Sequence, residues 1–127
     1  MAANAGQDDV RWVAVATLAE LAAADDHRLV RSARNWQLLL LQRGDDIHAL
    51  ENRCSHATAR LDGGELDGWQ LICPLHGARF DIRDGACVGP PATQPIRSFA
   101  ARIEEDMIEV AVPEKPPAPK PKFGVFN

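Results

Sequence analysis

Two short cysteine and histidine pairs constrain this chain more than any other feature. Cys54 and His56 stand as C-x-H, Cys73 and His76 as C-x2-H, and sixteen residues separate the pairs. Given seven Cys and His residues in 127, chance placement of such a pattern has a probability on the order of one in ten thousand. Each pair stands where a strand-like run gives way to turn residues: Asn52-Arg53-Cys54-Ser55-His56 follows Ile47 to Glu51, and Cys73-Pro74-Leu75-His76-Gly77 follows Trp69 to Ile72. The fold must therefore bring two loops to one centre. Pro74 fixes the backbone direction beside its cysteine, and Gly77 lets the chain turn sharply beneath a bound group.

The rest of the sequence predicts the scaffold that does this. Apolar and polar residues alternate in short runs, giving strand candidates at Arg11–Val15, His27–Ser32, Trp36–Gln42, Ile47–Glu51, Trp69–Cys73, Arg79–Ile82, Ala86–Val88, Ser98–Glu104 and Met107–Val112. Turn residues separate them, as at Arg43-Gly44-Asp45-Asp46, Asp62-Gly63-Gly64, Asp67-Gly68, Arg83-Asp84-Gly85 and Glu105-Asp106. Only Ala16 to Ala24 carries a hint of helical period, with Ala22 to Asp26 a helical turn or a loop. The expectation is an all-β antiparallel sandwich or small barrel with one core, the size that 127 residues support.

Composition excludes several classes. The longest apolar run, Leu38 to Leu41, is far short of the roughly 20 residues of a membrane helix, and the opening MAANAGQDDV has acids where a signal peptide needs basic and then apolar residues. Residues 1–112 hold eleven arginines against seventeen acids, a poor match for nucleic acid. Three cysteines are too few for a disulfide framework, so they read as metal ligands or reduced thiols in the cytoplasm. Residues 1–9 read as a disordered N-terminus and 10–112 as the folded domain. Residues 113–127, which hold five of the nine prolines and all three lysines, read as a Pro/Lys-rich tail. Phe123 and Phe126 are its only apolar anchors of any size, and a frayed terminus is the expectation there.

Two thiolates and two imidazoles suit either a single tetrahedral zinc or a two-iron, two-sulfide cluster. Structural zinc sites usually take paired cysteines from one knuckle, whereas each loop here supplies one cysteine and one histidine. That order can give both cysteines to one iron and both histidines to the other. The stretch CSHATARLDGGELDGWQLICPLHGARFDIRDGACVGPPA, Cys54 to Ala92, resembles the Rieske ferredoxins of bacterial aromatic-ring-hydroxylating dioxygenase systems. The resemblance implies a Rieske fold: an antiparallel β-sandwich base domain with an inserted cluster-binding subdomain of about residues 53–83, and Gly89-Pro90-Pro91 as a loop shielding the cluster. It implies Cys54, His56, Cys73 and His76 as ligands of one Rieske 2Fe-2S cluster, the cysteines on the buried iron and the histidines on the outer one. It also implies one-electron transfer from an NAD(P)H-dependent flavoprotein ferredoxin reductase to a terminal oxygenase, with no catalysis by the chain itself. A small electron-transfer subunit of a nitrite reductase or of another oxygenase would look similar in this region, and a zinc-stabilised binding module is the rival of a different class.

High-potential Rieske proteins of respiratory complexes place a serine and a tyrosine where this chain has Ala78 and Phe80, and disulfide cysteines where it has Ala59 and Leu75. Their absence implies a potential at the low end of the Rieske range, about −150 mV, nearly independent of pH around neutrality. Elsewhere, Cys87 reads as a packing residue, and His27 and His48 as solvated side chains. Trp12, Trp36 and Trp69 read as core. Arg60, Arg79, Asp62, Glu65 and Asp67 are the charges nearest the ligand loops and candidates for steering a partner.

Overall fold

The computed structural model describes residues 10–55, 59–90 and 94–115. Its architecture follows from the four consecutive leucines of β3 (Trp36–Arg43), all fully buried. Alternate residues of a strand face opposite ways, so a strand buried throughout needs cover on both sides. Leu38 and Leu40 enter one core, and Leu39 and Leu41 enter a second. Each such side chain contributes about 1.5–3 kcal/mol of burial, which makes β3 the shared wall of two cores.

That wall belongs to an antiparallel sheet of order β2-β3-β4-β9, with β2 at Arg28–Ala33, β4 at Asp46–Glu51 and β9 at Ser98–Phe99. One face packs on a three-stranded sheet of order β1-β11-β10, formed by Val10–Thr17, Met107–Pro113 and Ala101–Glu104. Ala16, Ile108, Val110 and Val112 fill the space between. The other face packs on a third sheet, β5-β6-β7-β8, formed by Glu65–Asp67, Gln70–Ile72, Arg79–Asp81 and Cys87–Gly89. Leu61, Leu71, Phe80, Ile82 and Ile96 make that second core. The chain is all-β with a β-sandwich base, and the third sheet is inserted between β4 and β9, which pair with each other at Ala49↔Phe99 and Leu50↔Ser98.

Local chemistry explains the turns. The β2–β3 and β10–β11 hairpins each place two successive residues at positive φ, Arg34 and Asn35 in the first and Glu105 and Asp106 in the second, the geometry whose twist matches flanking strands. Gly64 has no alternative, because a Cβ there would overlap the Ile72 carbonyl.

Several expectations need correction. The expected Ser98–Glu104 strand is broken at Ala100 into β9 and β10, and the three-residue β5, ELD, was not expected. The helical hint resolves as α1 (Leu18–Ala23), started by a capping box in which Thr17 and Glu20 exchange hydrogen bonds. Trp36 is core, but Trp12 is 42% exposed. It pairs with Ala111 on the face of the sheet that points away from the cores, under the Arg102 guanidinium at 4.1 Å. Trp69, 36% exposed, is a turn residue flanked by the guanidinium groups of Arg43 and Arg83. The β11 strand runs through Pro113, paired with Val10, and the Trp36 indole N–H donates to the Lys115 carbonyl at 2.9 Å. Residues 1–9, Pro91, Phe123 and Phe126 lie outside the described residues.

Candidate metal centre

The second loop is the end of a hairpin. β6 and β7 pair as far as Ile72↔Arg79, after which the Cys73 N–H donates to the Ala78 carbonyl at 2.7 Å and the Gly77 N–H to the Cys73 carbonyl at 3.0 Å. Gly77 sits at φ +80, a conformation that disfavours any side chain. The consequence is a sharp division of the loop. Cys73 is 2% exposed and points among apolar residues, while Pro74, Leu75 and His76 stand in solvent, Leu75 at 55%.

The first loop repeats this closure. The Cys54 N–H donates to the Ala59 carbonyl at 2.8 Å, spanning the same number of residues as the Cys73 to Ala78 bond. Cys54 is 1% exposed and lies in the same core cluster as Cys73, with Leu61, Ala78 and Phe80. Ser55 Oγ donates to the Gln94 carbonyl, so Gln94 lies beside this loop. His56 lies outside the described residues. Among the described residues no three metal-donor side chains converge: the two cysteines share a core, and His76 faces outward.

A group held here has to match two buried thiols at one end and an exposed imidazole at the other. Neither cysteine is in a disulfide, and the wall behind them is apolar. A cluster whose thiolate iron is buried and whose imidazole iron meets solvent fits that donor set. Ala78 and Phe80, both fully buried beside the cysteines, offer no hydroxyl to a sulfur atom.

The other candidates fall into place around this. His27 is exposed, as expected, but His48 is half-buried edge-on to Trp69, and burial holds its imidazole below the ordinary range despite the carboxylates of Asp46 and Asp81. Cys87 packs against the core of the centre, its thiol 3.6 Å from the Gly89 carbonyl. Arg79 pairs with Asp67, and Arg60 with Asp62, so both arginines are tied to acids nearby. Burial pushes the Asp62 carboxyl up, but hydrogen bonds from Arg60 and Asn52 outweigh it and hold the group below its usual range.

One residue escaped the sequence reading. Asn52 is the only buried polar side chain among the described residues, 3% exposed. Its position two residues before Cys54, at the end of an apolar strand, was the available signal.

The Rieske [2Fe-2S] domain model matches residues 11–100. The chain belongs to this Rieske family. The ferredoxin component of the naphthalene 1,2-dioxygenase system of Pseudomonas putida is 33% identical to it over 95 residues, 75% of this chain and 89% of that protein. The solved ferredoxin of carbazole 1,9a-dioxygenase from Nocardioides aromaticivorans superposes on this Rieske chain with a TM-score of 0.73 at 33% identity, covering 79% of this chain and 96% of the other. A chain in the complex of reduced oxygenase and oxidized ferredoxin in carbazole 1,9a-dioxygenase matches with a TM-score of 0.69 at 28% identity, covering 85% and 97%. As a Rieske protein the chain carries one 2Fe-2S cluster, and no helix of the described residues is long and apolar enough to cross a membrane.

Proposed function

We propose that this Rieske protein is a one-electron carrier that takes electrons from an NAD(P)H-dependent flavoprotein reductase in the cytoplasm and hands them to a terminal aromatic-ring-hydroxylating dioxygenase. Cys54 and Cys73 hold the buried iron, and His56 and His76 the outer one. The cluster supplies reversible one-electron storage. The chain's own residues bury its sulfur end in the core built on Leu39, Leu61 and Phe80, exclude water there, and present the imidazole end to a partner.

The observation that carries this reading is the contrast within four residues between Cys73, buried, and Leu75 and His76, exposed. A carrier needs its redox group close to the surface at one point and protected elsewhere. Transient redox encounters use small contacts, and the exposed Pro74, Leu75 and His76 supply the centre of one. The ferredoxin names of the relatives and the oxygenase complex among the solved structures support the oxygenase end of this circuit.

The test is reconstitution with a purified reductase and an aromatic-ring dioxygenase. The protein should be reduced by the former, reoxidised by the latter, and support substrate turnover, and Leu75→Asp should slow reoxidation while leaving the visible spectrum unchanged. A protein that is loaded and reducible but fails to reduce any such oxygenase defeats the proposal.

A further inference from the structure

The two loops have the same inner closure but unequal support. Outward from the Cys73 to Ala78 bond, strand pairing continues through Ile72↔Arg79 and Leu71↔Phe80. Outward from the Cys54 to Ala59 bond there is none, because β4 ends at Glu51 and β5 starts at Glu65. The position equivalent to Leu71 and Phe80 is occupied by Asn52 and Leu61. There the Leu61 N–H donates to Asn52 Oδ1 at 2.8 Å, so a side-chain carbonyl stands in for the backbone carbonyl of a paired strand.

The remaining donors of Asn52 anchor this substitute. Its Nδ2 donates to Asp62 Oδ1 at 3.0 Å and to Gln37 Oε1 at 2.9 Å, and its backbone N–H to the Gln37 carbonyl at 2.9 Å. Gln37 belongs to β3, the wall between the cores. On the far side, Arg28 donates to the carbonyls of Asp62 and Gly64, and Arg60 grips the Asp62 carboxylate. A buried amide with both donors and its acceptor engaged is costly to disturb, since any lost partner leaves a desolvated polar group.

We infer that Asn52 is the positioning residue of the first ligand loop: its side chain latches residues 61 and 62 to β3 and so holds Cys54 in place for the cluster. The inference rests on Cys54 being a ligand. Asn52 touches neither iron nor sulfide in this role. It acts through the loop, as outer partners of metal ligands commonly do.

The experiment compares holoprotein variants for the half-life of the visible cluster absorbance in excess chelator, and for deuterium uptake by the 59–64 segment. Asn52→Asp keeps the acceptor for Leu61 but loses the donors and sets a carboxylate against Asp62. It should shorten the half-life by about ten- to hundredfold, alter the line shape of the reduced cluster's paramagnetic signal, and raise deuterium uptake at 59–64. The double variant Asn52→Asp with Asp62→Asn reverses the donor and acceptor across the same contact and should regain most of the lost half-life. Val112→Ala, in the other core, should lower stability with the half-life unchanged. A wild-type half-life in Asn52→Asp overturns the inference, as does a half-life in Val112→Ala as short as in Asn52→Asp. If Asn52→Asp does not accumulate folded, the double variant decides alone: retention near wild type supports the latch, and failure to retain the cluster overturns it. Cys54→Ser separates the two assignments: a retained cluster there removes the ligand assignment, while deuterium uptake in Asn52→Asp still reports on the latch.

Discussion

Leu39 and Leu40 are neighbours on β3 and lie in different cores, Leu39 with Cys54 and Cys73 and Leu40 with Ile108, Val110 and Val112. Both are fully buried, so truncating either leaves a cavity costing about 2–5 kcal/mol. Leu39→Ala should lower the urea midpoint and also hasten loss of the visible spectrum, whereas Leu40→Ala should lower the midpoint with little effect on cluster retention. Equal effects of the two substitutions on retention would show that the two cores do not divide the work this way.

Ala78 and Phe80 are fully buried in the same core as Cys54 and Cys73, so a hydroxyl placed at either is expected to donate to a sulfur atom of the cluster held there. Hydrogen bonds to sulfur favour the reduced, more negative state. A bond that favours it by about 1 kcal/mol raises a one-electron potential by about 40 mV. Ala78→Ser and Phe80→Tyr should each move the midpoint upward by tens of millivolts from a starting value of about −150 mV, measured by redox titration. A clearly positive potential in the unmodified protein, or no upward shift in either variant, would contradict this account.

Gly64 is excluded from carrying a side chain by the Ile72 carbonyl. Gly64→Ala must move the β5–β6 hairpin or the loop before it, at a cost of about 2 kcal/mol or more. Thermal unfolding should report a lower midpoint, and an unchanged one would mean the hairpin yields freely.

His48 gives stability a pH dependence whose sign is fixed by burial. Desolvation, aided by Arg83 and Arg43, holds the imidazole below its ordinary value of 6.5, against the carboxylates of Asp46 and Asp81. On acidification the unfolded chain takes up this proton first. The contribution of neutral His48 is therefore complete above 6.5 and is lost as pH falls toward the lower folded value. His48→Phe keeps an aromatic ring against Trp69 and should flatten the slope of unfolding free energy between about pH 7 and about pH 5. Parallel slopes in the two proteins would remove His48 as the cause.

Much of this was legible in the residues. Nine strand segments were marked by alternation and turns, because one face of most strands is solvated and imposes a period of two. The run Leu38 to Leu41 breaks that period, and from the sequence it said only that the longest apolar run is far shorter than a membrane helix needs. Its meaning depends on two sheets covering one strand, which no local pattern reveals. Trp12 and Trp69 were misjudged for the opposite reason: an aromatic residue fits a strand pattern whichever way it faces, and the register with Ala111 and the turn at Gly68 decide the matter. The capping box Thr17-Leu18-Ala19-Glu20 was present to be read, but a six-residue helix has too few turns to show its period. The candidate ligands Cys54, His56, Cys73 and His76 were marked by their spacing, by their places at strand ends and by the resemblance to Rieske ferredoxins. Asn52 was not, since its importance lies in contacts with Gln37, Leu61 and Asp62 rather than in its neighbours along the chain.

The pairing of Leu50 with Ser98 brings the two ends of the inserted sheet together as hydrogen-bonded neighbours. An insertion entering and leaving through adjacent strands makes the same demand on its host whatever its length. The electron-carrying unit is thus a cassette: it can be lengthened without redrawing the connections of its base, and a graft has to match the spacing of two strands and the apolar face of Leu39, Leu41 and Leu50 on which it sits.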